Sequence, residues 1–212
     1  MPAESLDAAL LSAASPWKIP VQVVDQTTST NDELLRQGEA GAPSGTLLFA
    51  ESQTAGRGQF RRVWNSARGL GLWFSLLLRL EINDDSIPSL SAFAAVALVK
   101  TIGELEIEGA LIKAPNDVLV RGHKVAGILV ETRVGKNPFA VVGIGLNVNH
   151  NLSDFPEELR EQATSLALTS EKPFNRNDVA AQLLRQLGEQ ERLMRESRKD
   201  LLAAWHRLLL PS

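Results

Sequence analysis

Between residues 110 and 148 four β-rich runs follow one another with only short polar or glycine-containing segments between them, and this block limits the fold more than any other feature. The runs are residues 110–113, 118–121, 124–134 and 139–148. Arg121-Gly122-His123 reads as a hairpin turn between the second and third, and Gly135-Lys136-Asn137-Pro138 precedes the fourth. Alternation within the block favours an antiparallel or mixed sheet over a βαβ repeat. Upstream, residues 20–24 (Val21, Val23, Val24) read as a short strand, and residues 46–50 and 72–80 as two more. The last of these is almost continuously apolar and therefore central.

Helical signals surround the strands. Thr30 with Glu33 forms a capping box for a short helix that Gly38 and Gly41 close, with Leu34 and Leu35 on its buried side. Pro88 and Ser89 open a second helix carrying Phe93, Ala94, Val96, Ala97 and Val99. Beyond His150 the pattern predicts helix over residues 156–163 and 175–195, the latter with Val179, Leu183, Leu187 and Met194 on one stripe. Leu201, Leu202, Trp205, Leu208 and Leu209 make a last amphipathic segment. The expected architecture is α+β, a mixed sheet backed by helices, with an N-terminal arm over residues 1–19 and one domain over residues 20–212.

Charge decides what this domain can bind. A net charge of -3 and a pI near 5.7 give no whole-molecule field for nucleic acid, so an anion site must be local and DNA binding is not expected. The absence of cysteine excludes disulfides, thiolate metal sites and cysteine nucleophiles, and fits a cytoplasmic protein. The first residues carry two acids and no early basic cluster, and no apolar run is read as approaching the roughly 20 residues of a membrane span, so no membrane partner is expected.

One local anion site is conspicuous. Arg57, Arg61 and Arg62 lie among the close glycines Gly56 and Gly58, with Gln53 at the entrance of the loop and Trp64 after it as a ring for stacking a nucleobase. A solvated basic loop would use the same residues. Lys113-Ala114-Pro115-Asn116-Asp117 sends a lysine and an acid out of the sheet at one loop, suited to phosphate and to metal or nucleophile, although an ordinary Pro-Asn-Asp turn would look alike. Lys124 begins a strand whose alternation puts it on the face of Ala126 and Ile128, where it needs a counter-charge or snorkels to water. Gly143 and Gly145 lie on one strand face with Asn147, leaving a slot against backbone. Val148 stands where a third glycine would complete a dinucleotide fingerprint, which excludes that reading. Phosphate-loop, zinc-protease and serine-hydrolase motifs are absent, and His123, His150 and His206 are scattered. Cations, a ring, amides, one acid and a glycine slot together suit the activation of a carboxylate by ATP.

In order, Ser29-Thr30-Asn31, Gln53 with Gly56-Arg57-Gly58, Trp64-x-Ser66, Lys113-x-Pro115-Asn116-Asp117, Lys124-x-Ala126-Gly127-Ile128-Leu129 and Gly143-x-Gly145-x-Asn147 resemble the motif series of biotin–protein ligases. The resemblance covers residues 29–149 densely and implies a fold related to class II aminoacyl-tRNA synthetases. It implies a ligase that forms biotinyl-5′-AMP from biotin and ATP with Mg²⁺, then biotinylates a lysine of a biotin carboxyl carrier protein domain; a homodimer is an allowed assembly. It implies roles for Ser29, Thr30 and Gln53 on the ureido ring, and for Arg57 and Lys124 at the carboxylate and α-phosphate. Gly56, Gly58, Gly127, Leu129, Gly143 and Gly145 would line the biotin pocket, and Trp64 would stack on adenine. Lys113, Asn116 and Asn147 would bind phosphates, Asn147 also magnesium, while Asp117 would touch ATP and orient the carrier lysine. Three features depart from the family pattern. Gln59 and Arg61 stand where the loop usually has arginine and glycine, and Ala114 replaces a tryptophan. Only 28 residues precede Ser29, too few for a winged-helix domain, and the chain ends at Ser212 where a small C-terminal β-barrel would begin. The alternatives are a lipoate or octanoate transferase of the same fold and a protein that binds biotin or its adenylate without transferring it.

Overall fold

A single seven-stranded sheet runs through the computed structural model, which describes residues 4–83 and 86–211. In chain order its strands are β1 (Gln22–Thr27), β2 (Leu47–Gln53), β3 (Gly71–Arg79), β4 (Ala110–Lys113), β5 (Asp117–Val120), β6 (His123–Arg133) and β7 (Phe139–Asn147). They lie in the order β1-β2-β3-β7-β6-β5-β4. Only β1 and β2 pair in parallel; the rest are antiparallel, so the mixed sheet expected from the alternating block is the one observed. The β5–β6 turn is tighter than the three residues expected. Arg121 and Gly122 both take positive φ, 49° and 86°, the backbone of a two-residue hairpin turn.

The two sheet faces are unequal. On one, Phe49, Phe74, Val142, Ile144, Ala126 and Ile128 pack beneath α3 (Ser86–Glu104), α5 (Arg176–Glu196) and α6 (Arg198–Arg207) in one continuous core. On the other, Leu48, Leu77, Phe139 and Val141 are covered at one end by Leu34 and Leu35 of α2 (Thr30–Glu39). The remainder of that second face, beyond the N-terminus of α2, is where the site forms.

Several expectations need correction. The first strand lies two residues later than residues 20–24 suggested. The cap of α2 is Ser29, whose side chain accepts from Asp32 N, so Thr30 begins the helix and is freed from capping. Apolar length was underestimated as well: α3 spans 19 residues and by length and composition alone could cross a membrane, but most of it is buried inside the fold. Residues 156–163 do not form a helix. They make a 3₁₀ turn at Glu157–Leu159 and then run along β6, with Lys124 N donating to Gln162 O (2.7 Å) and Thr164 N to Lys124 O (2.8 Å). Backbone pairing with a strand end outcompetes a two-turn helix with little apolar surface to bury. The following short helix α4 (Leu166–Ser170) was not anticipated.

The described segments before β1 and after α6 both pack onto this frame. Within the N-terminal segment α1 (Ala8–Ala14) buries Leu11 in the core, capped by Asp7. After α6 the chain joins the edge of the sheet, where Ile112 N donates to Leu208 O and Leu210 N to Ile112 O, both at 2.8 Å, so the open side of β4 is occupied.

Candidate active site

The residues singled out by sequence converge. Of the residues given biotin, ATP or magnesium roles, all except Gly56 line one cavity of about 540 Å³ on the second sheet face, a size suited to a small-molecule ligand. Gly56 instead shapes the loop: Trp64 N donates to its carbonyl at 2.9 Å, and a Cβ there would collide with Trp64 O.

One wall is polar and prearranged. Because α2 begins against the sheet, Ser29, Thr30 and Asn31 are all buried although polar. Thr30 N and Oγ1 donate to Gln53 Oε1 at 2.8 and 3.2 Å, and Gln53 Nε2 donates to Ser66 Oγ at 2.7 Å, which fixes the Gln53 amide in one orientation. Behind them Ser75 Oγ lies 2.8 Å from Thr30 Oγ1 and 2.6 Å from Asn31 Oδ1. Such a wall offers fixed donors and acceptors to a ligand that has both.

The opposite end carries charge. Lys124 Nζ and Asp117 Oδ1 are 2.7 Å apart, which supplies the counter-charge that a lysine on a half-buried strand requires. The expected face of Lys124 was wrong, for a specific reason. Val118 pairs with Ala126 and Leu119 with Lys124, leaving Val125 as an extra residue on β6. This bulge lets Val125 and Ala126 both enter the core and turns Lys124 to the side of Gly127, where a Cβ would lie 3.3 Å from Lys124 Cε. Asn116 is fastened to the same strand by Asn116 Nδ2 to Ile128 O (3.0 Å) and Ile128 N to Asn116 O (2.9 Å). Lys113 faces Asp117 across the β4–β5 turn, which contains a cis Ala114–Pro115 bond.

The glycine slot exists, but side chains of the chain itself lie over it. Asn31 covers Gly143, and the Trp64 indole covers Gly127 and Gly145 closely enough that a Cβ at any of the three would collide. Lys124 Nζ is 5.2 Å from the centroid of the Trp64 ring, a cation–π distance, while Trp64 Nε1 is buried without a hydrogen-bond partner. Asn147, on the same strand face, is buried and donates from Nδ2 to Thr164 O at 3.0 Å.

Two acids in the site escaped the sequence reading. Arg57 NH1 and NH2 donate to Glu131 Oε1 and Oε2 at 3.1 and 2.7 Å, and NH2 also to Asp32 Oδ1 at 2.5 Å. Burial alone would lower the Arg57 pKa, but these carboxylates outweigh it and raise it. Glu131 shares the strand face of Gly127 and Leu129 by simple alternation, a signal available in the sequence. Asp32 gave no such signal. Nor did His150, buried between Trp73 and Phe155, whose pKa burial pushes down to about 4 against a smaller opposing effect of Asp154.

The site is thus a polar, cation-bearing cavity on the sheet face that α2 covers only at one end, and such a cavity suits a domain that binds an anionic small molecule. Residues 22–149 match the sequence profile of the Biotin/lipoate A/B protein ligase family, and the chain belongs to that family. It is 42% identical over 164 residues to the Bifunctional ligase/repressor BirA of Bacillus subtilis (strain 168), covering 76% of this chain and 50% of that protein. It is 39% identical over 189 residues to the Biotin--[acetyl-CoA-carboxylase] ligase of Mycobacterium tuberculosis, covering 86% and 68% respectively. The biotin protein ligase of Aquifex aeolicus in complex with biotin and ATP superposes with a TM-score of 0.76 at 29% identity, over 90% of this chain and 78% of that one. The chain thus spans about half the length of the Bacillus relative.

Proposed function

We propose that this chain activates biotin with ATP as biotinyl-5′-AMP and transfers the biotinyl group to a lysine of a biotin carboxyl carrier domain. The observation that carries the reading is the meeting, in one cavity, of the Ser29–Thr30–Gln53 wall with the Lys124–Asp117 pair. A ureido ring has one acceptor and two donors to match the wall. The names of the relatives and the ligands of the Aquifex structure support the same substrates.

In this reading the biotin carboxylate oxygen attacks the α-phosphorus, the bond to the bridging oxygen breaks, and pyrophosphate leaves. Lys124 holds positive charge where negative charge grows, and Lys113, Asn116 and Asn147 bind the phosphates. Trp64 stacks on adenine. A neutral lysine amine, oriented by Asp117, then attacks the acyl carbon of the mixed anhydride and AMP departs. Among the described residues no group of three or more His, Cys, Asp or Glu could hold a metal ion. Asn147 would hold the magnesium that accompanies ATP, and the ion would supply positive charge at the phosphates.

The family also includes lipoate ligases. Lipoate has no ureido ring to match the donors and acceptors of the wall, so the wall favours biotin. The test is incubation with ATP, magnesium and labelled biotin or lipoate, with and without a biotin carrier domain. Biotin label on the carrier, with AMP released, is the expected result. Preferential lipoate labelling, or adenylate that forms but never reaches a carrier lysine, would overturn the reading.

A further inference from the structure

Arg57 lies in a negative setting. One guanidinium meets two carboxylates, Glu131 in a two-pronged pair and Asp32 at a single oxygen. An incoming anion would meet a cluster of net charge about -1 unless one acid withdrew, so the cation is poorly placed to receive a carboxylate or phosphate. Glu131 is also not free to withdraw. Its Oε2 accepts from Asn31 Nδ2 at 2.9 Å, and Asn31 is itself held by Leu129 O (3.3 Å) and Ser75 Oγ (2.6 Å) in a space that exists because residue 143 has no side chain. The acid is the fixed partner and the arginine the one that is held.

Arg57 belongs to a small hairpin closed by Gly58 N to Arg62 O (2.8 Å) and Trp64 N to Gly56 O (2.9 Å). Phe60 and Val63 at its tip are 86% and 84% exposed, so burial of apolar surface does not hold the tip down. The Arg57 side chain is what reaches from this hairpin to both α2 and β6.

We infer that Glu131, assisted by Asp32, is a positioning residue that latches the glycine-rich hairpin over the cavity through Arg57. The latch keeps the Gly56–Gly58 backbone at the cavity and Trp64 over Gly127 and Gly145; its effect on retention of bound biotin rests on the ligase reading above. An alternative, in which Arg57 binds the reacting anion and the acids merely restrain it, makes the opposite prediction for Glu131→Gln.

The experiment uses the full chain and two readouts. First, without any ligand, the rate of trypsin cleavage at the Arg62–Val63 bond is followed by mass spectrometry for wild type, Glu131→Gln, Asp32→Asn, Arg57→Ala and the Glu131→Gln/Arg57→Ala pair, with melting temperatures as controls. A partly exposed bidentate pair predicts cleavage about fivefold faster in Glu131→Gln and in Arg57→Ala, with the pair no faster than either single change. Asp32→Asn, at an exposed position, gives a smaller change in the same direction and serves if Glu131→Gln does not fold. Second, biotin dissociation is expected to quicken by a similar factor in Glu131→Gln. Unchanged cleavage in a folded Glu131→Gln or Asp32→Asn protein overturns the latch, as does tighter biotin binding or faster pyrophosphate exchange in Glu131→Gln, which would mean that Arg57 had been freed to bind anion. If wild type itself binds no biotin, the ligase reading fails while the cleavage rates still decide the latch.

Discussion

The Trp64 indole lies directly over Gly145: a Cβ at that position would collide with its Nε1 and Cε2 atoms. The glycine is therefore a seat for a tryptophan ring as well as part of a cavity floor, and the ring's position depends on it.

Replacing Gly145 by alanine is expected to displace Trp64 while leaving the strand, whose backbone is extended, intact. Loss of a stacking platform should raise the KM for ATP about fivefold, the low end of the range for base–aromatic stacking, with less effect on the KM for biotin. Steady-state pyrophosphate exchange measures both. An unchanged KM for ATP would show that Trp64 does not meet the nucleotide.

Lys124→Ala is expected to slow adenylate formation by about 10²-fold or more, because it removes fixed charge from the place where phosphate charge develops. Lys136→Ala should leave exchange unchanged, since that residue sits in the exposed turn between β6 and β7, outside the site cavity. Equal effects of the two substitutions would disprove the placement of the reacting centre.

His150 predicts a stability change in mildly acidic solution. Its folded pKa of about 4 lies below the ordinary 6.5, so above pH 6.5 the group is neutral in both states and contributes no pH dependence. As pH falls from 6.5 toward 4 the unfolded chain gains a proton that the folded chain does not, and stability drops by about 3 kcal/mol from this residue before levelling off. Urea unfolding at several pH values should show a shallower acid slope in His150→Phe than in wild type; identical slopes would mean that the imidazole is protonated in the fold.

Arg176 and Glu51 form a buried ion pair at 2.8 Å that also holds the N-terminal segment, with Leu6 N donating to Glu51 Oε1 (2.6 Å) and Arg176 NH2 to Glu4 O (2.5 Å). Arg176→Met should cost about 3–5 kcal/mol by leaving an uncompensated buried carboxylate. Adding Glu51→Leu should recover part of that loss, which denaturation midpoints of the single and double variants will test. A double variant less stable than the single one would mean that the backbone contacts of the segment outweigh the burial of charge.

The helix α3 offers an independent check on the packing. Gly103 has open space around its Cα, so Gly103→Ala should stabilise the chain by about 0.5–1 kcal/mol through helix propensity. A loss of stability would indicate that the helix ends before this residue.

What the sequence determined by itself was whatever depends on neighbours along the chain. Alternating runs with short turns between them specified the antiparallel block, and the spacing of Gly143, Gly145 and Asn147 put them on one strand face, as observed. The ordered motifs named residues that do converge on one cavity. Tertiary structure decided what depends on contacts between distant segments. A one-residue bulge at Val125 reversed the face of Lys124, and no local pattern announced it because both of the residues that follow Lys124 are apolar and fit the core. Residues 156–163 lost their helix to backbone pairing with Lys124, about 40 residues earlier in the chain, a competition invisible to local propensity. Arg57 read from its neighbours was a free cation; only the fold, by bringing β6 against the start of α2, surrounded it with Glu131 and Asp32, and charge, unlike hydrophobic periodicity, takes its meaning from what lies across space.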